Sequence, residues 1–408
     1  MELSVHQSLS PELRIMTFQL WVMQWTGLVG PQGHFYRFAL AFGWGSFVKL
    51  VPKIVLGMGS SQFDVIVKGL SELLYQGNVY IAAALLVLHL SSFNRMINLT
   101  SEIIKKGKRP NTSTCYDLVC VQNSKLNKFA KFYLIYCFCG SLLYCVPAMA
   151  TSYLRYFGSR NNITDDGSES EPVQFELSME QEFYGLQIRT DFTHYNIFMA
   201  CSLLAYFVGG YMSTIKVTAV VSAMRCSSLA YRLVAMQVRK LNDSRGVQQK
   251  KRKITTADIE EIIDLHCTAF EITDLLENML SIQLAMQFLS CLLFWCLVMF
   301  YVSMHVNFNL VNVTIPFCLS LIETYAYSYL GSELTAEAEE VGQAIYELPW
   351  YEDSAELQRY YCLIIQRSQR ATGTTAVKFF LVGIDKFGGL LQMSYSYYLV
   401  LKDVFNTL

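Results

Sequence analysis

The sequence predicts an all-α membrane protein of seven transmembrane helices. Its N-terminus is expected in the cytosol, its C-terminus outside, and several helices extend into the cytosol. Three observations lead there. The chain is 53% hydrophobic and only 16% charged over 408 residues, whereas soluble domains carry about 25% charged residues. Its apolar residues gather into runs near the roughly 20 residues a helix needs to cross a bilayer. Lys and Arg are also divided unequally between alternate connections, as the positive-inside bias requires.

Residues 1–34 read as a cytosolic or interfacial segment. Within it, 15–29 is too short and too aromatic for a span. Trp21 and Trp25 share one helical face there, which suits a helix lying at the interface or a packed cytosolic helix. Spans one to four occupy 35–223. The first, 35–55, is flanked or interrupted by Arg37, Lys49 and Lys53. The second, 73–99, centres on IAAALLVLHL, and a basic connection with Lys105, Lys106, Lys108 and Arg109 follows. The third is 129–153, with Pro147 near its far end. An acidic extracellular loop, 155–191, holds Asp165, Asp166, Glu169, Glu171, Glu176, Glu180 and Glu182. The fourth span, 192–223, carries Gly209-Gly210.

Residues 224–280 read as a cytosolic helical extension around the basic run Lys250-Lys251-Arg252-Lys253. Ile259, Ile262, His266, Phe270 and Leu275 recur there at helical spacing. Spans five (281–301) and six (313–330) fall within 281–332. Residues 333–373 read as cytosolic anchor helices: Pro349 ends one, and Leu357, Tyr361, Ile364 and Ser368 mark one face of the next. Residues 374–408 hold the last span, 374–404. It contains Asp385, Lys386, Gly388-Gly389 and a Tyr395, Tyr397, Tyr398 run, with Lys402 and Asp403 at its end.

The loops that alternate to the cytosolic side hold Arg95, Lys125, Lys128, Arg225, Arg232, Arg239, Arg367 and Arg370, among others. The opposite set holds Lys68, Arg155, Arg160 and Arg189, besides Lys49 and Lys53. Sequons occur at Asn98, Asn111, Asn162, Asn242 and Asn312; this orientation exposes only Asn162 in a roomy outer loop, with Asn312 too near the membrane, so glycan is expected at Asn162 alone.

Several classes are argued against. A net charge of −1 gives no reason to expect nucleic acid, and the 250–253 run reads as solvated loop. The stretch MELSVHQSLSPELR lacks a basic region before an apolar core, so no cleaved signal is expected. The 12 cysteines form no CxxC pair, and those inside apolar runs read as small apolar filler. No His/Cys ligand spacing, phosphate loop or catalytic constellation is present, so neither metal, cofactor nor enzyme is expected. No internal repeat marks a secondary transporter.

Val400 and Val404, at i and i+4, share a face of the last span. In a symmetric assembly they would form apolar rings that block ions by dewetting; in an ordinary span they would face lipid. The blocks Glu347-Leu348-Pro349-Trp350-Tyr351-Glu352, Ile365-Gln366-Arg367-Ser368-Gln369-Arg370, Thr375-Ala376-Val377-Lys378-Phe379-Phe380 and Ser394-Tyr395-Ser396-Tyr397 resemble the C-terminal signature of the insect odorant receptors. They cover about 60 residues, and their order and spacing carry the resemblance.

That resemblance implies a non-selective cation channel gated by a small volatile odorant. It would be a heterotetramer with a shared co-receptor, set among lipid in the plasma membrane of a sensory neuron dendrite. It puts the gate on Val400 and Val404, although the second position is often leucine in the family, and puts Lys402 and Asp403 at the pore mouth. The 224–279 segment lacks the long insertion expected of the co-receptor itself. A gustatory-receptor-like channel is the alternative, but its Thr-Tyr…Gln-Phe ending is absent.

The family also implies an odorant pocket in the outer halves of spans two, three, four and six. Depth and residue type there select Tyr75, Asn78, Val79, Ala82, Tyr144, Cys145, Met149, Tyr195, Phe198, Met199, Phe317 and Leu321. Asn78 stands out, since an amide at membrane depth needs a partner.

Overall fold

A computed structural model describes residues 4–30, 34–57, 63–106, 113–162, 174–246, 254–304 and 310–407. Lys108, Arg109, Asn111, Asp165, Asp166, Glu169, Glu171, the 250–253 run and His305 lie outside them, as do the side chains of Asn162 and Asn312.

The described chain is built from helices in the order α1 (Ser4–Ser8), α2 (Thr17–Trp25), α3 (Phe35–Lys49), α4 (Val51–Val55), α5 (Phe63–Leu88), α6 (Leu90–Lys106), α7 (Ser113–Asn162), α8 (Phe192–Gly246), α9 (Thr256–Met304), α10 (Leu310–Tyr346), α11 (Ala355–Ser368) and α12 (Ile384–Thr407). Among the described residues, five stretches are helical, long and apolar enough to cross a membrane: Phe35–Val55, Val65–Leu88, Cys115–Gly158, Phe192–Asp243 and Thr256–Met304. The first spans α3 and α4, which part at Leu50 just before Pro52. The α10 and α12 helices fall outside this set. Glu323 sits within α10, and Asp385, Lys386, Lys402 and Asp403 lie on α12.

At one end, which we term the anchor end, α8, α9 and α10 continue as one bundle capped by α11. Along α9 the buried positions Ile259, Ile262, Leu265, Ala269, Ile272, Leu276 and Leu280 recur every three or four residues, the stripe a helix needs to bury one face. Leu357, Tyr361, Ile364 and Ser368 form the buried face of α11, whose first turn is capped by the side chain of Ser354. Arg225, Arg232 and Arg239 of α8 pair with Glu333, Glu337 and Glu340 of α10. These partly exposed pairs fix register more than they stabilise, at about 0–1 kcal/mol each.

The opposite end is covered by residues 174–191. Phe175, Leu177, Met179, Phe183 and Ile188 are buried there in a small core with Tyr144, Tyr195, Phe198 and Tyr206. A tight turn carries the chain back on itself. Tyr184 and Gly185 have φ of 45° and 77°, and Leu186 N–H donates to the Phe183 carbonyl at 2.9 Å, so both central residues are left-handed. Tyr184 accommodates this by stacking on Phe47 at 4.6 Å and donating its hydroxyl to the Phe47 carbonyl at 2.7 Å.

Trp21 and Trp25 project outward from α2 while Leu20, Val22 and Met23 face the core. The last span differs from expectation at its start: residues 374–383 are not helical. Thr375 bridges Leu381 across a turn at Val377 and Lys378, with φ of 49° and 60°. Glu277 of α9 accepts from Thr375 N–H at 2.7 Å, Ser281 accepts from Val377 N–H at 3.0 Å, and Ser332 of α10 accepts from Ile384 N–H at 2.9 Å. Polar groups on neighbouring helices thus take the backbone donors that a helix would have used internally, and α12 starts only at Ile384.

Candidate functional site

A partly open cavity lies between α3, α5, α7, α8, α9 and α10 and offers about 90 Å³ of space. Its apolar part is walled by Val79, Phe294, Val313, Ile315, Pro316 and Leu319. Its polar part is walled by Lys49, Glu72, Gln76, Tyr80, Tyr144 and Tyr206. Tyr75, Gln76, Val79 and Tyr80 come from consecutive turns of one face of α5, since residues three and four apart share a face. Two glycines make the room. A Cβ at Gly45 would collide with the Tyr80 hydroxyl, and one at Gly209 would stand 2.7 Å from the Lys49 ammonium.

Charged groups gather beside the cavity, between it and the 174–191 segment. Lys53 of α4 pairs with Glu72 Oε2. Glu72 Oε1 accepts from the Tyr144 hydroxyl at 2.9 Å, and its Oε2 accepts from Glu180 N–H at 3.2 Å. Lys68 and Arg189 reach Glu180 at 3.0 and 2.7 Å. Burial pushes the Glu180 carboxyl up, but the two cations outweigh it and hold the group below the usual glutamate range. Lys49 Nζ instead lies over the Tyr206 ring, 4.2 Å from its centre.

A second buried polar group lies deeper, between α5, α8, α9 and α10. Lys216 pairs with Glu323 and donates to Gln287 Oε1 at 2.8 Å. Asn78 Nδ2 donates to that same oxygen at 2.6 Å, and Gln287 Nε2 donates to Thr324 Oγ1 at 3.0 Å. Glu323 also accepts from the Tyr327 hydroxyl at 2.8 Å. The partner that Asn78 needs at this depth is therefore Gln287.

Of the sequence-selected pocket residues, Tyr75, Val79 and Tyr144 line the cavity. Asn78 turns toward Gln287, and Ala82 is buried outside the lining. Cys145, Tyr195, Phe198 and Met199 belong to the small core under residues 174–191, with Met149 packed against it. Phe317 packs edge-on against Trp295, and Leu321 packs against the main core. Lys49, Gln76, Tyr206 and Phe294 were missed. The signal that pointed to Lys49 was a charge inside an apolar run with no neighbour of opposite sign.

The α12 helix buries Leu390 and Ser394, and Phe387 meets Trp295 edge-on. Near its end Phe405 stacks on Phe63 at 5.3 Å. Val400 and Val404 are 59% and 53% exposed, so neither packs within this chain's core. Lys402 and Asp403 are exposed beside them, and Lys386 pairs with Asp385 at 3.0 Å.

The family model described as 7tm Odorant receptor matches residues 78–395, well over half of the chain. The chain belongs to the odorant receptor family. It is 23% identical over 162 residues to odorant receptor 10 of Aedes albopictus, covering 40% of this chain and 43% of that one. It is 29% identical over 87 residues to the odorant receptor coreceptor of Anopheles gambiae, covering 21% of this chain and 18% of that one. These matches thus span less than half of either relative's length. The fold matches the insect olfactory receptor OR5 of Machilis hrabei with a TM-score of 0.67 at 14% identity, over 90% of this chain and 89% of that one. The same receptor in complex with eugenol matches with a TM-score of 0.65 at 12% identity, over 91% of this chain and 90% of that one. This odorant receptor is accordingly an all-helical membrane protein of the receptor class rather than an enzyme.

Proposed function

We propose that the chain is the odorant-binding subunit of a non-selective cation channel, and that a small volatile compound binds in the α3–α5–α7–α8–α9–α10 cavity. The observation that carries this reading is the cavity itself, lined by apolar and polar side chains together, within an odorant receptor fold. Tyr75, Val79 and Tyr144 form part of its wall, joined by Gln76, Tyr206 and Phe294. Membership in a family that includes coreceptors supports a co-receptor as partner, and the assembly would sit in the plasma membrane of a sensory neuron dendrite.

In this reading α12 lines the pore. A helix with Lys402 and Asp403 near one end and Val400 and Val404 outward on one face is poorly suited to lipid alone. Facing its counterparts, it would place two apolar rings one turn apart, a constriction that stays closed by dewetting. Lys402 and Asp403 would flank the mouth. The anchor end would lie in the cytosol and the 174–191 segment outside, as the Lys and Arg bias favours. The test is to express the chain with and without a co-receptor and record currents across an odorant panel. Odorant-evoked cation current that needs this chain supports the proposal; its absence at normal surface expression would refute it.

A further inference from the structure

Lys49, Lys53 and Lys68 are each no more than 5% exposed, and all gather at the 174–191 end of the bundle. The buried carboxylates there, among the described residues, are Glu72 and Glu180. Glu72 is taken by Lys53, Tyr144 and the Glu180 N–H. Glu180 is taken by Lys68, with Arg189 sharing it. Three buried lysines thus meet two carboxylates, and the odd cation is Lys49. Among the described residues its ammonium makes no hydrogen bond or ion pair and lies over the face of Tyr206 at 4.2 Å, an attraction worth far less than a hydrogen-bonded counter-ion at a buried site.

Lys49 is the cation that lines the cavity. Two further buried polar atoms on the same wall lack a hydrogen-bond partner, the Tyr80 hydroxyl and Gln76 Oε1. Tyr80 reaches Gly45, one turn before Lys49 on α3. The Lys49 ammonium and the Tyr80 hydroxyl, the latter held against α3 at Gly45, therefore both border a cavity that Val79, Phe294 and Leu319 also wall. Buried polar groups are ordinarily satisfied, and such a set without partners calls for an explanation.

We propose that the ligand of this cavity is a small organic acid. Its carboxylate takes the Lys49 ammonium and the Tyr80 hydroxyl, its alkyl or aryl tail lies on the apolar wall, and Gln76 Oε1 is left to a water or a ligand hydroxyl. This rests on the cavity being the odorant site and adds the chemical class. Charge-assisted hydrogen bonds are among the stronger polar contacts, so the acid is favoured over a neutral compound with the same tail.

The experiment measures thermal stabilisation of the full-length chain in detergent near neutral pH, by straight-chain carboxylates from butanoate to octanoate and by the matching alcohols and methyl esters. The acids are expected to bind, and Lys49→Met is expected to weaken them about tenfold or more while leaving the alcohols unchanged. Lys49→Arg should keep most of the acid affinity. Tyr80→Phe, which removes only a hydroxyl, should weaken the acids severalfold and so provides a test should Lys49→Met fail to fold. Equal acid affinity in wild type and Lys49→Met, or in wild type and Tyr80→Phe, overturns the assignment. Alcohols or esters that bind where the acids do not overturn it and leave the cavity reading standing. If no member of any series stabilises the wild-type chain, the cavity reading falls and the acid assignment with it.

Discussion

Replacing Lys216 by Met should be among the most destabilising single changes in the bundle. Both side chains of the Lys216–Glu323 pair are 1% exposed, so removing the cation leaves a carboxylate deep in the protein. Only the Tyr327 hydroxyl, at 2.8 Å, then remains among the named donors to Glu323. Gln287 Oε1 would lose one donor but keep Asn78. Breaking one side of a buried pair costs about 3–5 kcal/mol, or roughly two to three and a half powers of ten in the folding equilibrium at about 1.4 kcal/mol per decade. Removing both charges, as in Lys216→Met with Glu323→Leu, should recover most of that, because an apolar pair of similar volume avoids the desolvation cost. The assay is thermal unfolding of the detergent-solubilised chain, with wild type and the two variants compared at equal concentration. A Lys216→Met chain as stable as wild type, or a double variant less stable than the single, would refute the reasoning.

Three further outcomes are expected. Glu180 has a lowered folded-state pKa, so its contribution is present above the ordinary glutamate value of 4.5 and is lost as pH falls through the lowered value; proteolysis of the 174–191 segment should rise on acidification, and Glu180→Gln should flatten that dependence. Val400→Ser and Val404→Ser should raise basal current or alter cation permeability at matched surface expression, with Leu391→Ser as control; identical behaviour of all three would remove the gate assignment. Glycan mapping should find modification at Asn162 alone, whereas modification at Asn111 or Asn242 would invert the proposed orientation.

Local periodicity made much of the architecture legible. The buried face of α11 is Leu357, Tyr361, Ile364 and Ser368, as its helical spacing predicts, because a helix repeats within a few residues. Asn78 was legible as an amide in need of a partner, and Gln287 supplies it. What escaped was non-local. Lys49, Lys53 and Lys68 read as loop-side charges, yet Lys53 turns inward to Glu72 and Lys68 to Glu180, a residue far along the chain. In the second span, depth was readable but rotation was not. Tyr75 and Val79 face the cavity while Asn78, on an adjoining face, does not. Residues 374–383 are apolar enough for a helix, but Glu277, Ser281 and Ser332 bind their backbone instead, which no local pattern announces.

The most direct test of the odorant site fills it. On α5, Val79 is buried against the cavity and Leu88 is 74% exposed on the outer surface, so Val79→Trp and Leu88→Trp differ in where they put the same bulk. Odorant dose–response curves in cells expressing each variant with a co-receptor should show at least about a tenfold loss of sensitivity for Val79→Trp, equal to about 1.4 kcal/mol of binding, since the indole takes the ligand's space. Leu88→Trp should respond like wild type. An unchanged response in Val79→Trp, at equal surface expression, would contradict the account.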